Sequence, residues 1–349
     1  MMIVNALGGL ENPNLRLGRP RGGPADTHDP LIDARSIADA RTSGLTAVNV
    51  TLGYVAGDED PYPYTLRTLE AWERIVRDRP ADLIRVDRAG DIMRAHDEDK
   101  LGVIYGFQNA AQIGNEPDRV ETFADLGVRV VQLTYNGANA LGDGAMAGEN
   151  RGLSDLGRAV VERLNGRAIM VDLSHSGERT CLDAIAASRA PVSINHTGCR
   201  ALCDLPRNKS DAELRGVAEG GGFVGIYFMP FLTLDGRASA NDVVAHIEHA
   251  VNVCGEDHVG IGTDGPVTSI DDLEAFAGYL AEENAHRTRS GIAAKGEGAD
   301  IYPFVINLRG VEQFRKLAAM LAERGHREAR IEKILGGNFL RFARDVWGD

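Results

Sequence analysis

The sequence predicts an α/β fold, a (β/α)8 TIM barrel. Three observations carry that reading. Eight short apolar runs, each about the length of a buried parallel strand, alternate with amphipathic segments rich in Ala, Arg and Glu. Polar residues end nearly every one of those runs. The chain has 349 residues, long for an average domain but ordinary for a barrel with insertions. The alternative, a doubly wound three-layer sheet, would use fewer strands and place its ligand at one crevice.

The expected strands, in order, are Met2–Leu7, Leu45–Leu52, Gly102–Gln108, Val128–Tyr135, Ala168–His175, Pro191–His196, Gly222–Met229 and Val259–Asp264. Helical patterns fall between them: Asp33–Ser43, Tyr64–Asp78 with Ala89–His96, Val120–Leu126, Leu153–Leu164, Glu178–Ala187, Asp211–Glu219 and Asn241–Val253. Strands regularly followed by helices are the signature of the barrel. The stretch Asn12–Pro30 is rich in Gly, Pro and Arg and reads as a long first βα loop. From Ile270 onward the chain is largely helical, interrupted by a Gly-rich loop from Gly291 to Gly298. No short repeat, low-complexity tract or linker stands out. The expected organisation is one barrel domain over 1–349, with a helical C-terminal extension at about 270–349. Barrels of this kind often form homodimers, and the helical tail is the stretch that offers an interface.

Composition narrows the partners. The chain is 43% hydrophobic and 26% charged, as in a soluble globular protein. Its formal net charge of −13 argues against nucleic acid and anionic membrane surfaces. No apolar run approaches the roughly 20 residues needed to span a bilayer. The first residues, Met1-Met2-Ile3-Val4-Asn5-Ala6-Leu7, have neither the basic start nor the cleavage site of a signal peptide. Cys181, Cys199, Cys203 and Cys254 match no zinc ribbon or redox spacing and are expected to be reduced. The expected location is the cytoplasm.

In a barrel the active site lies at the C-terminal ends of the strands. The third strand ends in Gln108-Asn109 and the fourth in Thr134-Tyr135-Asn136. The fifth ends in Asp172-Leu173-Ser174-His175, the sixth in Asn195-His196 and the eighth in Thr263-Asp264-Gly265. Neutral imidazoles bind a divalent metal, and a carboxylate can bind it or take a proton from its water. His175, His196 and Asp264 therefore form the candidate centre, although Asp264 before Gly265-Pro266 also suits a turn or a cap. Tyr135 can donate a hydrogen bond to an oxyanion. Asn136 is expected among the substrate-binding groups. His96, His246, His249, His258, His286 and His326 sit in helical or polar surroundings that suit structural or solvated roles.

These residues resemble the membrane dipeptidase (renal dipeptidase) family. Asp172-Leu173-Ser174-His175-Ser176 resembles its DLSH segment, at a fitting distance from Pro191-Val192-Ser193-Ile194-Asn195-His196. Arg200-Ala201-Leu202 leading to Pro206-Arg207-Asn208 also fits, as does Val259-Gly260-Ile261-Gly262-Thr263-Asp264. Gly336-Gly337-Asn338-Phe339-Leu340-Arg341 resembles the closing helix. The resemblance spans nearly the whole chain, with its specific motifs in the second half. It implies a barrel of the metal-dependent hydrolase type, cleaving dipeptides with a hydroxide bridging two zinc ions. Carried over, His175 and His196 look like ligands of one zinc. Arg207 looks like the residue that binds the substrate's carboxylate or carbonyl oxygen, which a planar fork of donors suits. Asp264 looks like the general acid/base.

The chain departs from the family at three strand ends. Leu7 and Gly9 stand where a His-x-Asp pair should hold the other metal. Asp26-Thr27-His28-Asp29-Pro30 superficially resembles that motif, but no apolar strand precedes it, so His28 and Asp29 read as loop residues. Gln108 replaces a Glu that bridges both metals, and Tyr135 replaces a His. Together the first two changes remove one metal site as a unit. What remains is a two-histidine site that Asp264, Gln108 and water could complete, holding one zinc at most, or none.

The expectation is thus an enzyme, a dipeptidase-like metallohydrolase acting on a dipeptide or small amide that bears a carboxylate. Two alternatives stay open. One is a metal-free acid/base enzyme, a lyase, tautomerase or hydratase using Asp264, His175 and Tyr135. The other is a non-catalytic ligand-binding relative.

Overall fold

The computed structural model describes residues 1–17 and 30–349. His28 and Asp29 lie outside the described residues. The strands are β1 (Ile3–Gly8), β2 (Leu45–Thr51), β3 (Leu83–Arg85), β4 (Leu101–Phe107), β5 (Val128–Gln132), β6 (Met170–Asp172), β7 (Ser193–Thr197), β8 (Phe223–Ile226) and β9 (Val259–Ile261). All but β3 follow one another in the order β1-β2-β4-β5-β6-β7-β8-β9, each parallel to the next. Each of the eight expected strands is present; six end short of their expected last residues, while β1 runs on to Gly8 and β7 to Thr197.

The barrel closes between β1 and β9 through side chains as well as backbone. Asn5 Nδ2 donates to Thr263 Oγ1 at 2.8 Å, and Thr263 N donates to Asn5 Oδ1 at 2.9 Å. Asp264 N donates to Leu7 O at 3.0 Å and Gly9 N to Gly265 O at 3.2 Å. The result is the (β/α)8 barrel expected from the alternating pattern.

Strand β3 was not foreseen. It pairs with the start of β4, Leu83 opposite Leu101, on the edge that β5 takes over from Tyr105 onward. Three residues are too few to show a periodicity.

Around the barrel run α1 (Ala34–Thr42), α2 (Pro61–Asp78), α3 (Ala89–Asp97), α4 (Arg119–Asp125), α5 (Asp155–Gly166), α6 (Glu178–Ala187), α7 (Asp211–Glu219) and α8 (Ala240–Cys254). Side-chain caps fix several starts. Asp33 accepts from Ser36 N at 2.8 Å, and Ser154 from Gly157 N at 2.9 Å. Ser210 and Glu213 form a reciprocal capping box at α7. The C-terminal extension contains α9 (Leu273–Arg289), α10 (Gln313–Glu323), α11 (Glu328–Glu332) and α12 (Asn338–Trp347), the last entered through a π turn at Lys333–Gly337.

Two apolar clusters build the barrel. The larger lies between strands and helices, with Val48, Val103, Val131 and Val224 against Ile37, Phe123, Val160 and Ile247. The second joins alternate strand residues Val4, Ala47, Ile104, Val130, Met170 and Phe223 to Phe339, Phe342 and Val346 of α12. Side chains alternate across a strand, so these are the residues that face inward, and α12 seals the end opposite the strands' C-termini. Close approach there requires glycine: a Cβ on Gly336 would lie 2.7 Å from Met2 O. No helix among the described residues is long and apolar enough to cross a membrane.

Candidate active site

The ends of β6 and β7 are tied together by one buried carboxylate. Asp172 Oδ1 accepts from Ser174 N at 3.1 Å, Ser174 Oγ at 2.5 Å and Asn195 N at 3.0 Å. Ser174 Oγ accepts in turn from His196 N at 3.1 Å. Burial raises the Asp172 pKa, against the opposing pull of those hydrogen bonds. This bracket holds the rings of His175 and His196 4.9 Å apart between centroids, at 56°.

The proton on His175 follows from its neighbours. Asn136 Nδ2 donates to Ile292 O at 2.8 Å, which turns Asn136 Oδ1 toward His175 Nδ1 at 2.7 Å. A carboxamide oxygen only accepts, so Nδ1 carries the hydrogen and Nε2 is left bare. That Nε2 is buried and has no protein partner. Burial first, then the positive charges of Arg207, Lys209 and Arg287, hold the His175 pKa well below its usual value. His196 is kept neutral by burial, Arg207 and Lys209. Its Nε2 lies 3.4 Å from Gln108 Nε2.

Gln108 Nε2 also reaches Asp264 Oδ1 at 3.4 Å. Asp264 is half-buried and sits at φ +57°, a left-handed conformation uncommon outside glycine. Its carboxyl is pushed up to about 6 by burial, with Arg207, Gln108 and Arg287 opposing and Glu297 adding to the rise. Arg207 is 1% exposed. Its Nη1 donates to Ser174 O at 2.6 Å, while Nη2 is buried without a partner. The loop carrying Arg207 is pinned behind by Lys209, whose Nζ meets Ser176 O, Cys181 Sγ at 3.1 Å and Glu213 Oε1 at 3.3 Å.

Tyr135 stacks on His175, with ring centroids 4.3 Å apart and planes 23° apart. Its hydroxyl lies 3.4 Å from Arg287 Nη2. Arg287 comes from α9 and is clamped by Glu297 through two contacts of 2.7 Å. Burial works against the Arg287 charge, but the Glu297 carboxylate outweighs it and raises the pKa.

Six of the seven expected site residues thus come together through neighbouring side chains: Gln108, Tyr135, His175, His196, Arg207 and Asp264. Asn136 converges with them differently. Both ends of its carboxamide are spent on His175 and Ile292, so it orients His175 instead of facing a ligand. Arg287, Glu297 and Ile292 were missed. They lie in the C-terminal extension, where strand-end reasoning has no purchase; the Gly-rich interruption at 291–298 was the available signal.

At the first strand, Leu7 is buried and Gly9 has no side chain. A Cβ on Gly9 would collide with the Glu11 carboxylate, which fills that space. A cavity of about 370 Å³ opens beside this cluster and meets it at Tyr135, Asp264 and Arg287.

A model of the membrane dipeptidase family (peptidase family M19) matches residues 39–280. The chain belongs to this family, whose members are dipeptidases and related metallohydrolases. It is 30% identical over 300 residues to an uncharacterized dipeptidase of Schizosaccharomyces pombe, covering 83% of this chain and 63% of that protein. It is 29% identical over 286 residues to dipeptidase tcpJ of Claviceps purpurea, covering 81% of this chain and 60% of that protein. The chain therefore spans less than two thirds of the length of these relatives. Among solved structures, an amidohydrolase from Pseudomonas aeruginosa is 32% identical with a TM-score of 0.81, covering 100% of this chain and 97% of the other. A metallopeptidase from Rhodobacter sphaeroides, liganded with a phosphinate mimic of the dipeptide L-Ala-D-Ala, shares the fold at 20% identity and a TM-score of 0.76, covering 99% of each chain.

The family implies zinc. The bare Nε2 of His175 and the neutral ring of His196 are suitable donors. Among the described residues, however, no group of three His, Cys, Asp or Glu side chains is placed to hold a metal ion. Gln108 offers a carboxamide, which cannot balance a second dication. The described residues do not fit a two-metal centre.

Proposed function

We propose that this chain hydrolyses the amide bond of a small, dipeptide-like substrate bearing a carboxylate, at the mouth of the barrel between Asp264, Arg207 and Tyr135. The observation that carries the reading is the unpartnered Arg207 Nη2, buried beside the Asp264 and His175 side chains. A buried guanidinium donor left open is costly unless a ligand satisfies it. A carboxylate or carbonyl oxygen is its natural partner.

In this reading Asp264 takes a proton from water as the oxygen attacks the carbonyl carbon. The oxyanion receives hydrogen bonds from Tyr135 Oη and from a donor of the Arg207 fork. The carbon–nitrogen bond then breaks, and Asp264 returns the proton to the leaving amine. The neutral rings of His175 and His196, which accept but carry no charge, hold the water on the barrel axis. Zinc enters this reading at one ion per chain at most. Four buried free thiols support a cytoplasmic location.

The test is elemental mass spectrometry of tag-free protein, with His175→Ala alongside, followed by assays on dipeptides and N-acyl amino acids. At most one zinc per chain, lost in the variant, together with amide cleavage, is the expected result. Two metals would return His28 and Asp29 as ligands. Absence of cleavage from a folded, zinc-supplemented protein would favour the metal-free acid/base chemistry.

A further inference from the structure

The cavity beside Asp264 has a wall of a different character from the cluster it meets. Phe276 and Leu280 of α9, with Ile301 and Phe304 of the loop that follows, face Phe228 and Phe231 from the segment after β8. Phe276 and Phe304 lie 5.9 Å apart between ring centroids, and Tyr302 stacks on Phe304 at 5.2 Å. Phe276 and Leu280, with Ile270 and with Tyr302 and Phe304 packed on them, make a third apolar cluster, while Phe228 and Phe231 opposite belong to the larger cluster of the barrel. The barrel does not need this cluster for its own core.

About 370 Å³ is the size of a small-molecule site. The wall of Phe276, Leu280, Ile301 and Phe304 offers water few hydrogen-bond partners, so that side of the cavity favours an apolar group. Charged groups border this wall as well, since Glu11, Arg16, Glu283, Arg287, Glu297 and Arg309 also line the cavity. Arg207, with its open donor, is almost wholly buried and is not among the described residues lining the cavity. Asp264 borders both the polar cluster and the cavity. A ligand with its carboxylate on Arg207 and its reacting bond at Asp264 would extend its other half into the aromatic chamber.

We infer that the substrate carries a bulky apolar group, aromatic or branched aliphatic, on the acyl side of the scissile amide, and that Phe276, Leu280 and Phe304 hold it. This rests on the amide-hydrolase reading above. It makes the C-terminal extension the specificity element of the site.

The experiment compares kcat/KM for N-benzoylglycine and phenylalanylglycine with N-acetylglycine and glycylglycine. Binding of N-benzoylglycine to Asp264→Asn is followed in parallel by calorimetry. A bulky acyl group is expected to be preferred by roughly ten- to a hundred-fold, the discrimination an apolar pocket gives for a few added carbons. Phe276→Ala and Phe304→Ala should each erase most of that preference. Leu280→Trp, which fills the chamber instead of emptying it, should turn the preference toward the acetyl and glycyl compounds. Equal kcat/KM for bulky and small acyl groups would overturn the inference and leave the hydrolase reading standing. Binding of N-benzoylglycine that Phe276→Ala weakens, with no cleavage of any amide, would keep the chamber's ligand class and sink the hydrolase reading. Neither binding nor cleavage would overturn both.

Discussion

Asn136 Oδ1 accepts a hydrogen bond from His175 Nδ1 at 2.7 Å, and this contact decides which nitrogen of His175 faces the barrel axis. Because Asn136 is itself oriented by Ile292 O at 2.8 Å, the C-terminal extension reaches the centre of the site through one carboxamide. Replacing Asn136 with Leu removes the acceptor while keeping the volume. Partners of this kind, one step removed from the reacting groups, are typically worth roughly 10–100-fold in activity. A loss of that size in kcat/KM is expected, with the His175 tautomer equilibrium visibly shifted by nitrogen NMR. Unchanged ring signals would show that Asn136 does not set the tautomer.

Asp264 titrates in a window that an assay can reach. Its carboxyl is raised from 3.8 to about 6 by burial, with Arg207, Gln108, Arg287 and Glu297 facing it. In the proposed role of base it must be ionised, so kcat/KM should rise with pH through about 6. Asp264→Asn should lose that limb along with activity.

The same shift has an opposite sign for stability. A carboxyl with a raised folded pKa keeps its proton longer in the native state than in the unfolded one. Its contribution is therefore fully present at low pH, declines between about 4 and about 6, and stays lost above. Asp264→Asn should be more stable than the parent at pH 7, on the order of 1–3 kcal/mol. Denaturant melts from pH 4 to 8 measure this; a variant less stable than the parent at pH 7 would refute it.

Arg287 lowers the Asp264 pKa. Arg287→Met should therefore move the acidic limb of the activity profile to higher pH. It should also release Tyr135 Oη from its 3.4 Å contact, without disturbing the stacking of Tyr135 on His175. A limb that stays in place or moves downward would show that Arg287 is electrostatically remote from the base.

Lys209 and Glu213 form an ion pair at 3.3 Å whose side chains are 1% and 0% exposed. Lys209→Met leaves a buried carboxylate without its main partner. Breaking such a pair from one side typically costs about 3–5 kcal/mol, whereas replacing both partners with apolar residues is far milder. Urea unfolding of Lys209→Met and of the Lys209→Met, Glu213→Met double variant compares the two. A single variant within about 1 kcal/mol of the parent would mean that the pair is relieved by water.

Much of the barrel is legible in the sequence. Strands buried on both faces read as largely apolar runs such as Leu45–Leu52 and Gly102–Gln108, and helices between them show their own period. The convergence of His175, His196 and Asp264 is legible too, because a closed parallel barrel brings all its strand ends to one rim, whereas Arg207, in the loop after β7, is reached only through the family resemblance. Strand β3 is not legible, since its three residues gain their extended form from the free edge of β4. The role of Asn136 is not legible either. An asparagine after a strand can face a ligand or brace a histidine, and only the position of Ile292 O decides between them.

The order of strands and helices, the inward polar rim and the lack of metal-binding side chains at Leu7 and Gly9 can be read from the amino-acid sequence. These follow from residue type and periodicity along one chain. Only folding in three dimensions brings Arg287, Glu297, Phe276 and Phe304 to one cavity with Tyr135 and Asp264. Those residues come from an extension that follows all the barrel strands. Nothing in local pattern says where such a segment will fold back, because that is set by which exposed apolar surface over the barrel mouth it can bury.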